Sequence, residues 1–145
     1  MKKQAIIFDL DGTAIDSPVQ KLPTEQLVNA IQTAKEKFFL SSATGRVWSF
    51  ARPVLQGLEL TDPCIISAGT QICNPVTGEI LWQKNIEPSA LDQVLAILQG
   101  YPDYGILYND GTAEDYFNGG VSIRDLHINE PVYFLNQIFV PDSAA

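Results

Sequence analysis

Histidine occurs once in this 145-residue chain, as His127, and cysteine twice, as Cys64 and Cys73. A zinc site or a histidine-based triad would rest entirely on His127, which reads as an ordinary surface or half-buried residue. The two cysteines stand in strand-like apolar surroundings without metal-ligand spacing. Buried, reduced thiols of a cytoplasmic protein are therefore expected. Lysine and arginine together number 9 against 17 aspartates and glutamates, a net charge of -8, and the basic residues form no run. That balance argues against nucleic acid or an anionic membrane as a partner. No apolar stretch approaches the ~20 residues of a membrane span. The basic start Met1-Lys2-Lys3 meets Asp9 too soon to read as a signal peptide.

Apolar residues are plentiful at 46%, enough to bury a real core, and no low-complexity stretch interrupts them. "AIIF" (5–8) is a short continuous apolar run, the pattern of a strand buried on both faces. From Thr24 to Phe38 the positions Leu27, Ile31, Ala34 and Phe38 recur at helical spacing, with Pro23 and Thr24 as a helix start. "FFLSSAT" (38–44) reads as a second buried strand. Val47, Phe50, Ala51, Val54, Leu55 and Leu58 mark a second helical stripe, in which Pro53 suggests a kink or a boundary. "CIISA" (64–68) is a third strand. Strand–helix–strand–helix–strand order predicts a parallel α/β sheet with right-handed crossovers, whose ligands gather at the carboxyl ends of the strands. Asp9 and Thr44 both fall at such ends.

After Gly69 the pattern changes. "TQICNPVTGEILWQK" alternates around Pro75–Gly78 as a β-hairpin does, and 88–98 is an amphipathic helix with Gly100 as its stop. "YGILYND" and "VYFLNQIFV" read as further strands. A boundary near Glu87 divides the chain into 1–86 and 87–145. At the end, Asp142 or Ser143 offers a helix cap with no helix behind it, the expectation for a truncated sequence.

The run "FDLDGT" sets two carboxylates, Asp9 and Asp11, two positions apart at the mouth of a buried strand. Like charges so close are unfavourable unless a cation sits with them. Phosphoryl transfer supplies a reason for the arrangement. Asp9 can attack phosphorus and form an acyl phosphate, and Asp11 can protonate the leaving oxygen and later activate water. Mg²⁺ tolerates few protein ligands, so one carboxylate, a backbone carbonyl, phosphate and waters suffice. Gly12 lets the chain turn so that backbone N–H groups face an anion. The competing reading of Asp9–Thr13 is a strand followed by an ordinary Asp-Gly turn.

"FDLDGT" resembles the first motif of the haloacid dehalogenase-like hydrolase superfamily, and "SSATGR" resembles its second. "IISAGTQICNPVTGEILWQKNIEPSALDQVL" is similar to the Cof-like subfamily, with Ala68 where that group usually carries asparagine. The resemblance covers nearly the whole chain. It implies a Rossmann-like parallel core, N-terminal half only (1–86), followed by the start of an α/β cap (87–145). It also implies a Mg²⁺-dependent phosphatase acting on a small phosphorylated metabolite such as a sugar phosphate. Asp9 and Asp11 would be catalytic and would hold the metal, and Thr44 and Gly45 would bind the phosphoryl group. Arg46 could touch substrate or cap, or form a surface ion pair.

The family's site also takes a lysine or arginine and a late acidic pair, which in Cof-like members follow the cap. On that reading this chain holds half a site, with little activity of its own, and its exposed sheet edge offers a route to homo-oligomers. A rival alignment makes Lys84 the cation and Asp110, Glu114 and Asp115 metal ligands, as in capless relatives. Against it, "YNDGTAED" reads as a polar hairpin turn. A sugar-phosphate mutase using the same aspartates, and a non-catalytic binding or assembly fragment, are the other readings.

Overall fold

Strands β1 (Gln4–Phe8) and β2 (Phe38–Ser42) pair in parallel, Gln4 opposite Phe38 and Phe8 opposite Ser42. The structure is a computed structural model that describes residues 4–16, 22–98, 105–109, 115–118 and 134–139. The chain divides into two compact units, Met1–Gln83 and Lys84–Ala145.

In the first unit the crossover between β1 and β2 is helix α1 (Glu25–Lys35). Thr24 caps it, its side-chain oxygen accepting the Leu27 N–H at 3.2 Å, a bond typically worth ~1 kcal/mol. Ile31 is the residue that α1 buries fully, and the helix packs on β2. Helix α2 (Trp48–Gly57) follows, burying Trp48, Ala51, Val54 and Leu55, with Val47 and Leu58 buried at its two ends. Phe50, expected in that stripe, is 56% exposed. It lies about a quarter turn from the stripe's centre, where a side chain reaches water rather than the sheet. Pro53 lies inside α2, and the helix runs through it with one N–H donor missing rather than breaking.

Strand β3 (Cys64–Ile66) joins the far side of β2 through the parallel bridge Ala43–Ile65. The Ala43 N–H donates to the Phe8 carbonyl and the Thr44 N–H to the Ile65 carbonyl, both at 3.0 Å. The end of β2 is thus stitched to both neighbours. The expected strand over 64–68 stops at Ile66, because Ser67 and Ala68 turn left-handed with φ of +53° and +52°.

Two right-handed crossovers running in one direction place α1 and α2 on the same face of the sheet. On β2 burial follows that rule: Leu40 and Ser42 are buried, and Phe39, on the other face, is 47% exposed. On β1 both faces are open, Ile6 opposite Leu40 being 41% exposed and Ile7 56%. The expectation that "AIIF" is buried on both faces is therefore corrected. Among the described residues β1 pairs with β2 alone, and no helix of this unit covers its second face.

Strand β3 continues into an antiparallel sheet with β4 (Gln71–Cys73) and β5 (Ile80–Gln83), Cys64 lying opposite Cys73. Asn74 organises the turn between β4 and β5, its side-chain oxygen accepting from the N–H groups of Val76 at 2.9 Å and Thr77 at 3.2 Å. Gly78 closes that turn at φ +81° so tightly against α2 that a Cβ there would lie 2.8 Å from Trp48 Cζ2.

In the second unit, helix α3 (Pro88–Leu98) has the bounds its periodicity predicts. Strands β6 (Gly105–Asn109), β7 (Asp115–Asn118) and β8 (Phe134–Phe139) form an antiparallel sheet in the order β7–β6–β8. Asn109 lies opposite Asp115 in the antiparallel pairing of β6 with β7. The rival alignment needs β6 in the parallel sheet, and its partners are instead β7 and β8, both antiparallel. Asp110, Glu114, His127, Asp142 and Ser143 lie outside the described residues. Among the described residues no helix is long and apolar enough to cross a membrane.

Candidate active site

The two carboxylates of "FDLDGT" are displayed by the alternation of extended chain. Leu10 is fully buried, and its neighbours Asp9 and Asp11 are both exposed. Beyond them the chain folds back on the Leu10 carbonyl, which accepts from the N–H groups of Thr13, Ala14 and Ile15 at 3.3, 2.9 and 2.9 Å. Gly12 makes this turn possible with φ +76°, and its N–H donates to the Ile15 carbonyl at 2.8 Å. Ile15, only 2% exposed, is the second anchor. Asp11 therefore sits on a short loop pinned to the core at both ends.

The second motif approaches from the end of β2. Thr44 is 5% exposed, and its hydroxyl oxygen accepts the Arg46 N–H at 3.2 Å. That bond uses an oxygen lone pair, so the hydroxyl proton is available to donate to an anion. A Cβ built on Gly45 would meet nothing within 4 Å, so its backbone borders open space. The left-handed turn after β3 supports this loop from beneath. Ser67 N–H donates to the Arg46 carbonyl at 2.8 Å and Ala68 N–H to the Thr44 carbonyl at 3.2 Å.

Arg46 joins the two motifs. Its Nε donates to Asp11 Oδ2 at 2.8 Å and its Nη2 to Asp11 Oδ1 at 2.6 Å, a two-pronged ion pair across 35 residues of sequence. Nη1 donates to the Phe50 carbonyl at 3.0 Å. The guanidinium holds its proton more firmly than usual, chiefly through the hydrogen bonds to Asp11, with partial burial opposing and the Asp11 charge adding to them.

Among the described residues no group of three or more His, Cys, Asp or Glu side chains could hold a metal ion by itself. Two exposed carboxylates and the loop carbonyls are hard oxygen donors, few in number. That donor set fits Mg²⁺ in its usual mode, held by one or two carboxylates and completed by water and phosphate, and does not fit an all-protein cage. Asp9 and the backbone of the Asp11 loop would hold such an ion.

The model of haloacid dehalogenase-like hydrolases matches residues 6–138. This chain belongs to that family. A Mycoplasma pneumoniae protein provisionally named a phosphatase is 25% identical over 130 residues, which are 89% of this chain and 45% of that protein. Among solved structures, a Thermotoga maritima protein matches with a TM-score of 0.61 at 20% identity, over 80% of this chain and 42% of its own. A subclass IIB sugar phosphatase of the haloacid dehalogenase superfamily matches with a TM-score of 0.58 at 19% identity, over 74% of this chain and 41% of its own. The chain thus spans less than half the length of each of these three.

Within this hydrolase fold, Asp9 and Asp11 follow β1, and Thr44 and Gly45 follow β2, at the same carboxyl edge of two paired strands. Arg46 was legible as a candidate for an ion pair, but nothing in the sequence names its partner. Only the pairing of β1 with β2 brings residue 46 to residue 11. The apolar pattern of 64–68 reads as strand throughout and hides the supporting turn at Ser67 and Ala68. Its one sequence signal is Ala68, standing where the resembling subfamily has asparagine, a residue that tolerates left-handed backbone.

Proposed function

We infer that this chain carries the nucleophile-bearing part of a Mg²⁺-dependent phosphatase acting on a small phosphorylated metabolite. The observation that carries the reading is the shared edge, with Asp9 and Asp11 at the end of β1 and, at the end of the paired β2, a loop in which the Gly45 backbone borders open space beside the buried Thr44. The phosphatase and sugar-phosphatase names of the relatives support a phosphate monoester as the substrate class.

In the reaction so read, an Asp9 carboxylate oxygen attacks phosphorus and the ester P–O bond breaks. Asp11 donates a proton to the departing alcohol oxygen. Water then attacks the aspartyl phosphate, Asp11 takes its proton, and the bond between Asp9 and phosphorus breaks to release phosphate. Thr44 and Gly45 hold the phosphoryl oxygens throughout. Bound Mg²⁺ neutralises phosphate charge at the Asp9 edge. Both Asp11 oxygens are engaged by Arg46, so proton transfer requires at least one of those hydrogen bonds to open.

The test is phosphate release from hexose phosphates and p-nitrophenyl phosphate in Mg²⁺ by the whole phosphatase of which this chain is read as a part. Asp9→Asn is expected to abolish it with an unchanged circular-dichroism spectrum. Near-wild-type turnover in that variant would overturn the nucleophile assignment.

A further inference from the structure

Arg46 lies at a junction. Its N–H reaches the Thr44 hydroxyl, its carbonyl takes the Ser67 N–H, and its guanidinium spans Asp11 and the Phe50 carbonyl. The side chain is only 22% exposed. A loose surface pair between two flexible side chains is a poor description of it. Of the five guanidinium N–H groups, two bond Asp11 and one bonds Phe50, so Nη1 and Nη2 each carry one more. A planar fork of donors matches phosphoryl oxygens, and its neighbours in sequence are the phosphoryl-binding candidates Thr44 and Gly45. The lysines of this unit's described residues, Lys35 and Lys37, stand at the far end of α1, before β2 begins.

We propose that Arg46 is the resident counter-cation of the acidic edge and a binding residue for the phosphoryl dianion. Without ligand, the guanidinium balances Asp11. When a phosphate monoester enters, its N–H donors turn to the phosphoryl oxygens, and Asp11 is released for proton transfer. The proposal rests on the phosphatase reading and deepens it by naming a cation for the substrate within this chain.

Calorimetric titration tests it without any turnover. Mg²⁺ is titrated alone, and inorganic phosphate at saturating Mg²⁺, into wild type, Arg46→Gln, Arg46→Lys and the control Arg52→Gln. Removing one positive charge beside the site should tighten Mg²⁺ about tenfold and weaken phosphate about tenfold, both effects shrinking with added salt. Arg46→Lys should retain most of the phosphate affinity, and Arg52→Gln should change neither. Affinities that fall together in Arg46→Gln would show a residue that only supports the loop and would sink the proposal. Unchanged affinities would sink it too, while leaving the phosphatase reading intact. Wild type taking up neither Mg²⁺ nor phosphate would overturn the proposal as well, whereas the phosphatase reading stands or falls with Asp9.

Discussion

Ala68 holds φ at +52°, beside Ser67 at +53°, in a region that a Cβ disfavours by ~1–2 kcal/mol. Strain of this kind persists where neighbouring bonds over-determine it. Here the N–H groups of both residues are docked on the loop that carries Thr44 and Arg46. Ala68→Asn keeps those bonds and suits the left-handed backbone, so it should raise stability by ~0.5–1 kcal/mol in thermal melts. Unchanged or lowered stability would show that the turn carries no strain. The thiols make a second prediction at this scale. Burial pushes Cys64 up, and burial together with the nearby Cys64 pushes Cys73 up to about 12. The folded protein should therefore resist a thiol reagent at pH 8 until it is unfolded. Because the folded state keeps protons that the unfolded chain has lost, this contribution to stability is complete below the ordinary thiol value of 9.0 and declines as pH climbs toward about 12.

Elements whose pattern is local were legible. The Thr24 cap and the bounds of α3 follow from side chains within a few residues of one another. The packing of the β4–β5 turn on α2 was not, because Gly78 and Trp48 are distant in sequence and meet only in the fold. Gly78→Ala adds a Cβ 2.8 Å from the Trp48 ring at a residue with φ +81°. A destabilisation of ~1–3 kcal/mol is expected, with shifted Trp48 fluorescence. A melt within error of wild type would place the turn away from α2. Strand β1 illustrates the opposite failure. An unbroken apolar run indicates that a strand can be buried, and its partners decide whether it is.

At the scale of the whole molecule, one face of the β1–β2 sheet presents Ile7 and Phe39 to solvent. Contiguous apolar surface of this kind promotes association of copies, while the net charge of -8 opposes it. Light scattering at rising concentration should detect self-association that strengthens with salt. Phe39→Glu should reduce it at little cost in stability, since the side chain is already 47% exposed. Association that is the same in the variant would place the contact elsewhere.

The amino-acid order alone determined the α/β alternation and the identity of the acidic pair, because strand and helix periodicity and the Asp-x-Asp-Gly spacing are local properties of the chain. The partner of Asp11, the strained support beneath Thr44 and the uncovered face of β1 were decided only by the tertiary structure. Each depends on residues tens of positions apart, brought together by sheet pairing and crossover handedness rather than by any neighbouring side chain.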